Sequence, residues 1–185
     1  KAAELANLIG NINAGGGGVN RNLLINGSTN VAQRGTSETG IGASSGYFTC
    51  DRWKITTANT AGRLTMTQDS SAPSGTGLAN SIKLDCTTAD TSIAADELTI
   101  IGQSIEGQNL QTIKKGTSSA VPLTASFYAK ANASATYVAE LYDHDNTRNN
   151  TRAFTVGTDW ERVELTFIAD TTGTINDDNG FGITF

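Results

Sequence analysis

The chain has 185 residues, with 13 Lys and Arg against 18 Asp and Glu and a formal net charge of -5. An acidic chain without a Lys/Arg stripe argues against nucleic-acid phosphates or an anionic membrane as partners, and no run of about 18 apolar residues is present to cross a bilayer. Hydrophobic residues at 37%, charged residues at 17% and 20 glycines fit a turn-rich all-β chain with one main domain.

Ala2, Leu5, Leu8, Ile9 and Ile12 fall at near-helical spacing, which predicts a short amphipathic helix that cannot bury its stripe alone. Three copies wrapped together would cover it, so a homotrimer is expected. The start KAAELANLIG lacks the apolar core and cleavage site of a secretory signal. Gly15 to Gly18 then form a hinge, with no phosphate-loop Lys and Ser/Thr after them. Residues 1–20 read as an attachment and oligomerisation segment, residues 21–185 as a β-domain.

Strands and turns follow. In YFTCDRWKI the apolar parity changes between Cys50 and Trp53, as a β-bulge at Asp51 or Arg52 would explain. GRLTMTQ and SIKLDC alternate, which puts Cys86 on one face with Ile82 and Leu84. Cys86 and Cys50 are therefore read as reduced core thiols, with a Cys50–Cys86 disulfide as the alternative. Glu106 to Ile113 is the one good candidate for a helical turn. Beyond it Val121, Leu123, Ala125, Phe127 and Ala129 share a face, as do Tyr137, Ala139 and Leu141. Val163, Leu165 and Phe167 point inward against Arg162, Glu164 and Thr166. About ten strands separated by clusters such as SSAPSGTG, DHDNTRNN and DTTGTINDDNG indicate an antiparallel β-sandwich of jelly-roll type.

The opening NLLINGSTNVAQRGTS followed by CDRWKI resembles fibre-like and appendage proteins of tailed bacteriophages, especially phages of marine bacteria. The later run, LTASFYAKA through YVAELYD, DWERVELTF and DNGFGITF, is similar to galactose-binding-like jelly rolls and carbohydrate-binding modules. Together the motifs span residues 21–185. The resemblance implies a non-enzymatic structural component of the virion surface, in a tail fibre or capsid appendage, that contributes to host attachment. Its implied partners are other copies of itself, other virion proteins and host surface polysaccharide. Members of the family usually continue by another strand or two, whereas this chain stops within the alternating run Phe181, Ile183, Phe185, which reads as a C-terminal truncation.

Tyr142, Asp143, His144 and Asp145, with Arg148 and three asparagines nearby, form the most site-like cluster. Carboxylates, amides and an aromatic ring suit hydroxyl recognition by a loop from Asp143 to Thr151, the bland alternative being a solvated hairpin. Trp53 and Trp160 are candidate sugar platforms, although core packing is the better reading, and Asp51-Arg52 offers a charge-assisted bond to the first loop. Asp170, Asp177 and Asp178 offer oxygen ligands for calcium, against an ordinary turn at Asn176 to Gly180; no other cofactor is indicated. Enzyme chemistry finds no support. Glu140, Asp143 and Glu164 have no context that pairs them across a cleft, neither Gly-x-Ser-x-Gly nor His-Glu-x-x-His occurs, and nothing sets up a dyad with the single His144. Three functions remain open: a fibre or decoration subunit, a glycan-binding lectin module, and, last, a polysaccharide depolymerase.

Overall fold

A computed structural model describes residues 22–185; the expected helix over Ala2 to Ile12 and the glycine hinge lie outside them. The described chain is all-β: β1 (Ser37–Ile41), β2 (Lys54–Ala58), β3 (Arg63–Asp69), β4 (Ser81–Thr88), β5 (Leu98–Gly102), β6 (Ser104–Glu106), β7 (Leu123–Ala129), β8 (Ala135–Asp143), β9 (Arg148–Val156), β10 (Glu161–Phe167) and β11 (Phe181–Thr184). Every pairing between them is antiparallel, in the orders β1-β3-β4, β2-β5, β6-β11-β8-β9 and β10-β7. The expected helical turn from Glu106 to Ile113 is instead the end of β6 followed by two short 3-10 turns, Gly107–Asn109 and Gln111–Ile113.

The alternation in the second half translates directly into packing. Phe127 pairs with Val163, Ala125 with Leu165 and Leu123 with Phe167, so the β7–β10 ribbon has one apolar face. That face lies on the β6-β11-β8-β9 sheet: Leu123 packs with Leu141, Ile105 and Ile183, and the Phe127 ring meets Phe154 edge-on at 5.3 Å. Edge-to-face contacts of this kind match the ring quadrupoles, on top of the roughly 1.5–3 kcal/mol from burying each large side chain. Two members of the expected faces fall outside the core, since Val121 precedes β7 and Tyr137 sits half-exposed near the start of β8.

A second cluster, Ile41, Cys50, Ile55 and Met66, is covered by Phe48, Trp53, Leu64, Ile82 and Ile101. Here the sequence reading needs two corrections. The parity change between Cys50 and Trp53 is a tight turn, with Trp53 N–H on the Cys50 carbonyl at 3.3 Å and Arg52 at φ 73°, rather than a bulge. Cys86 is not a core thiol. It shares a face with Leu64, but β4 ends its sheet and its residues from Lys83 to Thr88 are exposed. Both cysteines are free, Cys50 buried and Cys86 exposed, so no disulfide joins them.

Candidate functional site

The cluster that begins at Tyr142 is divided by the pleat of β8. The strand runs to Asp143 and β9 starts at Arg148, with Asp143 opposite Arg148, so the loop is residues 144–147. Asn149, Asn150 and Thr151, read as loop from the sequence, belong to β9. Thr147, at φ 51°, supplies the left-handed residue with which a short hairpin loop often closes.

Asp143 points inward and is 3% exposed, unlike the solvated loop carboxylate expected. Its Oδ2 lies 2.6 Å from Lys115 Nζ, and Lys115 is itself buried. Asn146 donates from its backbone and side chain to Asp143 Oδ1 at 3.1 and 3.2 Å. Lys115 also reaches Asp170 Oδ2 at 3.2 Å, and the two oxygens of Asp170 receive Arg148 Nε and Nη2 at 3.2 and 3.3 Å. Burial works to raise the Asp170 carboxyl, but the Thr172 amide, Lys115 and Arg148 outweigh it and hold it below the usual carboxylate range. The cleft beside this network, walled by Leu123, Leu141, Phe167 and Ile183, has about 40 Å³ of free volume. A water occupies roughly 30 Å³ and ligand pockets run to hundreds. No sugar ring fits there.

Tyr142 and His144 lie on the opposite, outer face. Tyr142 is in register with Thr184, and Thr184 with Ser104. The Ser104 and Thr184 hydroxyls are 2.7 Å apart, and His144 Nε2 is 2.7 Å from the Thr184 hydroxyl, giving a chain of three groups that each exchange donor and acceptor roles. The Tyr142 and His144 rings meet at 90° with centroids 4.8 Å apart, and Phe181 lies 5.8 Å from His144. Burial pushes the His144 imidazole below its ordinary range, and Lys54 adds to this while Asp143 and Asp145 oppose it. The ring is therefore neutral near pH 7.

Phe181 was missed as a site residue because Phe181, Ile183 and Phe185 read as one face. A bulge separates them: Phe181 opposes Glu106 while Ile183 opposes Ile105, leaving Gly182 as the extra residue. A side chain on Gly182 would come within 2.8 Å of Leu110 and 2.9 Å of Ile175, so only glycine fits. Ile183 is buried as a result, and Phe181 is 53% exposed beside His144. A glycine inside a strand pattern is the signal that could have found it.

The remaining candidates are structural. Asp145 accepts from the backbone and side chain of Asn176 at 2.9 and 3.0 Å. Of the calcium candidates, Asp170 faces Lys115 and Arg148, Asp178 accepts from the Gly180 amide at 2.9 Å, and Asp177 lies in the same turn. Among the described residues no group of three or more His, Cys, Asp or Glu is placed to hold a metal ion. Trp53 donates to the Asn26 carbonyl at 3.1 Å and packs on the second core, and Asp51 pairs with Arg34 of the first loop at 3.0 Å. Arg52 pairs separately with Glu106 at 3.5 Å. Trp160 is half-buried under Lys130, whose Nζ is 5.0 Å from the ring centroid. Comparison with family models, curated proteins and solved structures returned no match.

Proposed function

We propose that this chain is a non-enzymatic module of a tailed-bacteriophage fibre or capsid appendage, a galactose-binding-like jelly-roll sandwich that helps attach the virion to host surface polysaccharide. The observation that carries the binding reading is the outer-face group of Tyr142, His144 and Phe181 beside the Ser104–Thr184–His144 hydroxyl and imidazole chain. Exposed ring faces stack on the C–H face of a pyranose, and neighbouring groups that donate and accept serve its hydroxyls. The carboxylates of Asp143 and Asp170 are committed to Lys115 and Arg148, which favours binding over bond cleavage. Incubation of the protein with host polysaccharide separates the readings. Retention of the polysaccharide without new reducing ends is expected, and Phe181→Ala should weaken it about tenfold, in line with roughly 1–3 kcal/mol for an aromatic stack lost. No retention would leave a decoration role alone, and new reducing ends would mark a depolymerase.

The same proposal includes assembly as a homotrimer with the apolar stripe of residues 1–14 at its axis, alongside other virion proteins. Light scattering is expected to give a trimer for the full chain and a smaller species without residues 1–18. A monomer in both cases would refute it.

A further inference from the structure

The geometry points to a covalent modification site, in which Lys115 and Asp143 condense to an intramolecular amide with Asp170 as the proton carrier. This goes beyond glycan binding and does not depend on it. Five features converge on it. The nucleophile and the electrophile are already in contact, with Lys115 Nζ 2.6 Å from Asp143 Oδ2, and both side chains are at least nine-tenths buried. Effective molarities for groups held this way are very large, which lets an ordinarily slow condensation proceed. A second carboxylate touches the nitrogen, since Asp170 Oδ2 is 3.2 Å from Nζ, and Arg148 fixes that carboxylate from its far side.

The oxygen that an amide would keep is held by donors. Asp143 Oδ1 receives the Asn146 backbone N–H at 3.1 Å and Asn146 Nδ2 at 3.2 Å, an arrangement that stabilises negative charge developing on that oxygen. The product is also satisfied. The carbonyls of Thr172 and Gly173 each lie 2.8 Å from Nζ, ready to accept the single N–H that the amide retains. Lastly, the apolar walls from Leu123, Leu141, Phe167 and Ile183 limit water at the reacting atoms.

The steps balance without any outside reactant. Asp170 takes one proton from the Lys115 ammonium, and the freed lone pair of Nζ forms a bond to Asp143 Cγ. Negative charge gathers on Oδ1 against Asn146. A second proton passes from Nζ to Oδ2, and Asp170 returns the first one, so that Oδ2 leaves as water with the electron pair of the Cγ–Oδ2 bond. One proton stays on Nζ, Asp170 is again a carboxylate, and no group changes oxidation state. The bond would join the segment that follows the second 3-10 turn to the end of β8.

The test is the intact mass of the full chain, purified, denatured and reduced. A mass one water below that of the sequence is expected, together with loss of tryptic cleavage after Lys115 and a linked peptide carrying both Lys115 and Asp143. Lys115→Arg keeps a cation at the site but supplies no amine for the bond, and should show the full sequence mass. A wild-type chain at full sequence mass overturns the proposal, whether or not any variant folds. So does a water loss that persists in Lys115→Arg, which would assign it to a succinimide elsewhere.

Discussion

Adjacent residues of one strand face opposite ways, and that single fact separates Asp143 from its neighbours Tyr142 and His144. Replacing Asp143 would leave Lys115 buried without its closest counter-charge, a change that typically costs about 3–5 kcal/mol, so Phe181 is the better probe of the outer face. The two cysteines differ for a related reason. Alternation assigns Cys86 to the core side of β4, but a face is buried only if something covers it, and nothing among the described residues covers this end of the edge strand. Cys50 has no exposed surface, and burial first, with Asp51 second, raises its thiol against the opposing effect of Thr49. In the folded protein one thiol should react readily with an aromatic disulfide reagent and the second only after unfolding. Cys86→Ser is expected to change stability by no more than about 0.5 kcal/mol, and Cys50→Ser to cost about 1–3 kcal/mol for a buried hydroxyl. Equal reactivity of both thiols in the native state would contradict the assignment.

Among the elements, β3, β7, β8 and β10 were legible because each has one covered and one open face, so hydrophobicity alternates along it. β9 was not. Its first half reads Arg-Asn-Asn-Thr-Arg and looks like loop, yet Asn150 donates to the Ile168 carbonyl at 3.3 Å and Arg152 to the Thr166 carbonyl at 3.0 Å. These polar side chains take over the pairing that a neighbouring strand would supply, which hydrophobic periodicity does not register. Two single-residue irregularities also misled the reading in opposite ways. A left-handed Arg52 hid a turn where a bulge was expected, and Gly182 hid a bulge where regular alternation was expected. The first irregularity is uncommon for a residue with a Cβ and carries no sequence signal. The second carries one, and it decides the candidate site by turning Phe181 outward.

At the scale of the molecule the question is how the two core clusters are joined. Ile101 packs on one and Ile105 on the other, and Gln103 lies between them where β5, paired with β2, gives way to β6, paired with β11. Its backbone exchanges two hydrogen bonds with Phe185, at 2.7 and 3.0 Å. Its side chain, in a residue only 1% exposed, does the same with Ile25: Oε1 accepts the Ile25 N–H at 2.7 Å and Nε2 donates to the Ile25 carbonyl at 2.8 Å. Gln103 thus anchors the segment whose Leu23 and Leu24 pack on the first cluster. A buried amide with both ends satisfied contributes about 1 kcal/mol per hydrogen bond, and removing it also strands the partner groups. Gln103→Leu is therefore expected to cost about 2–3 kcal/mol by urea denaturation. Because the residue belongs to both clusters, the whole transition should move to lower urea, with tryptophan fluorescence and far-UV circular dichroism still coincident. If the two probes separate in the wild-type chain, the clusters unfold independently and Gln103 does not couple them.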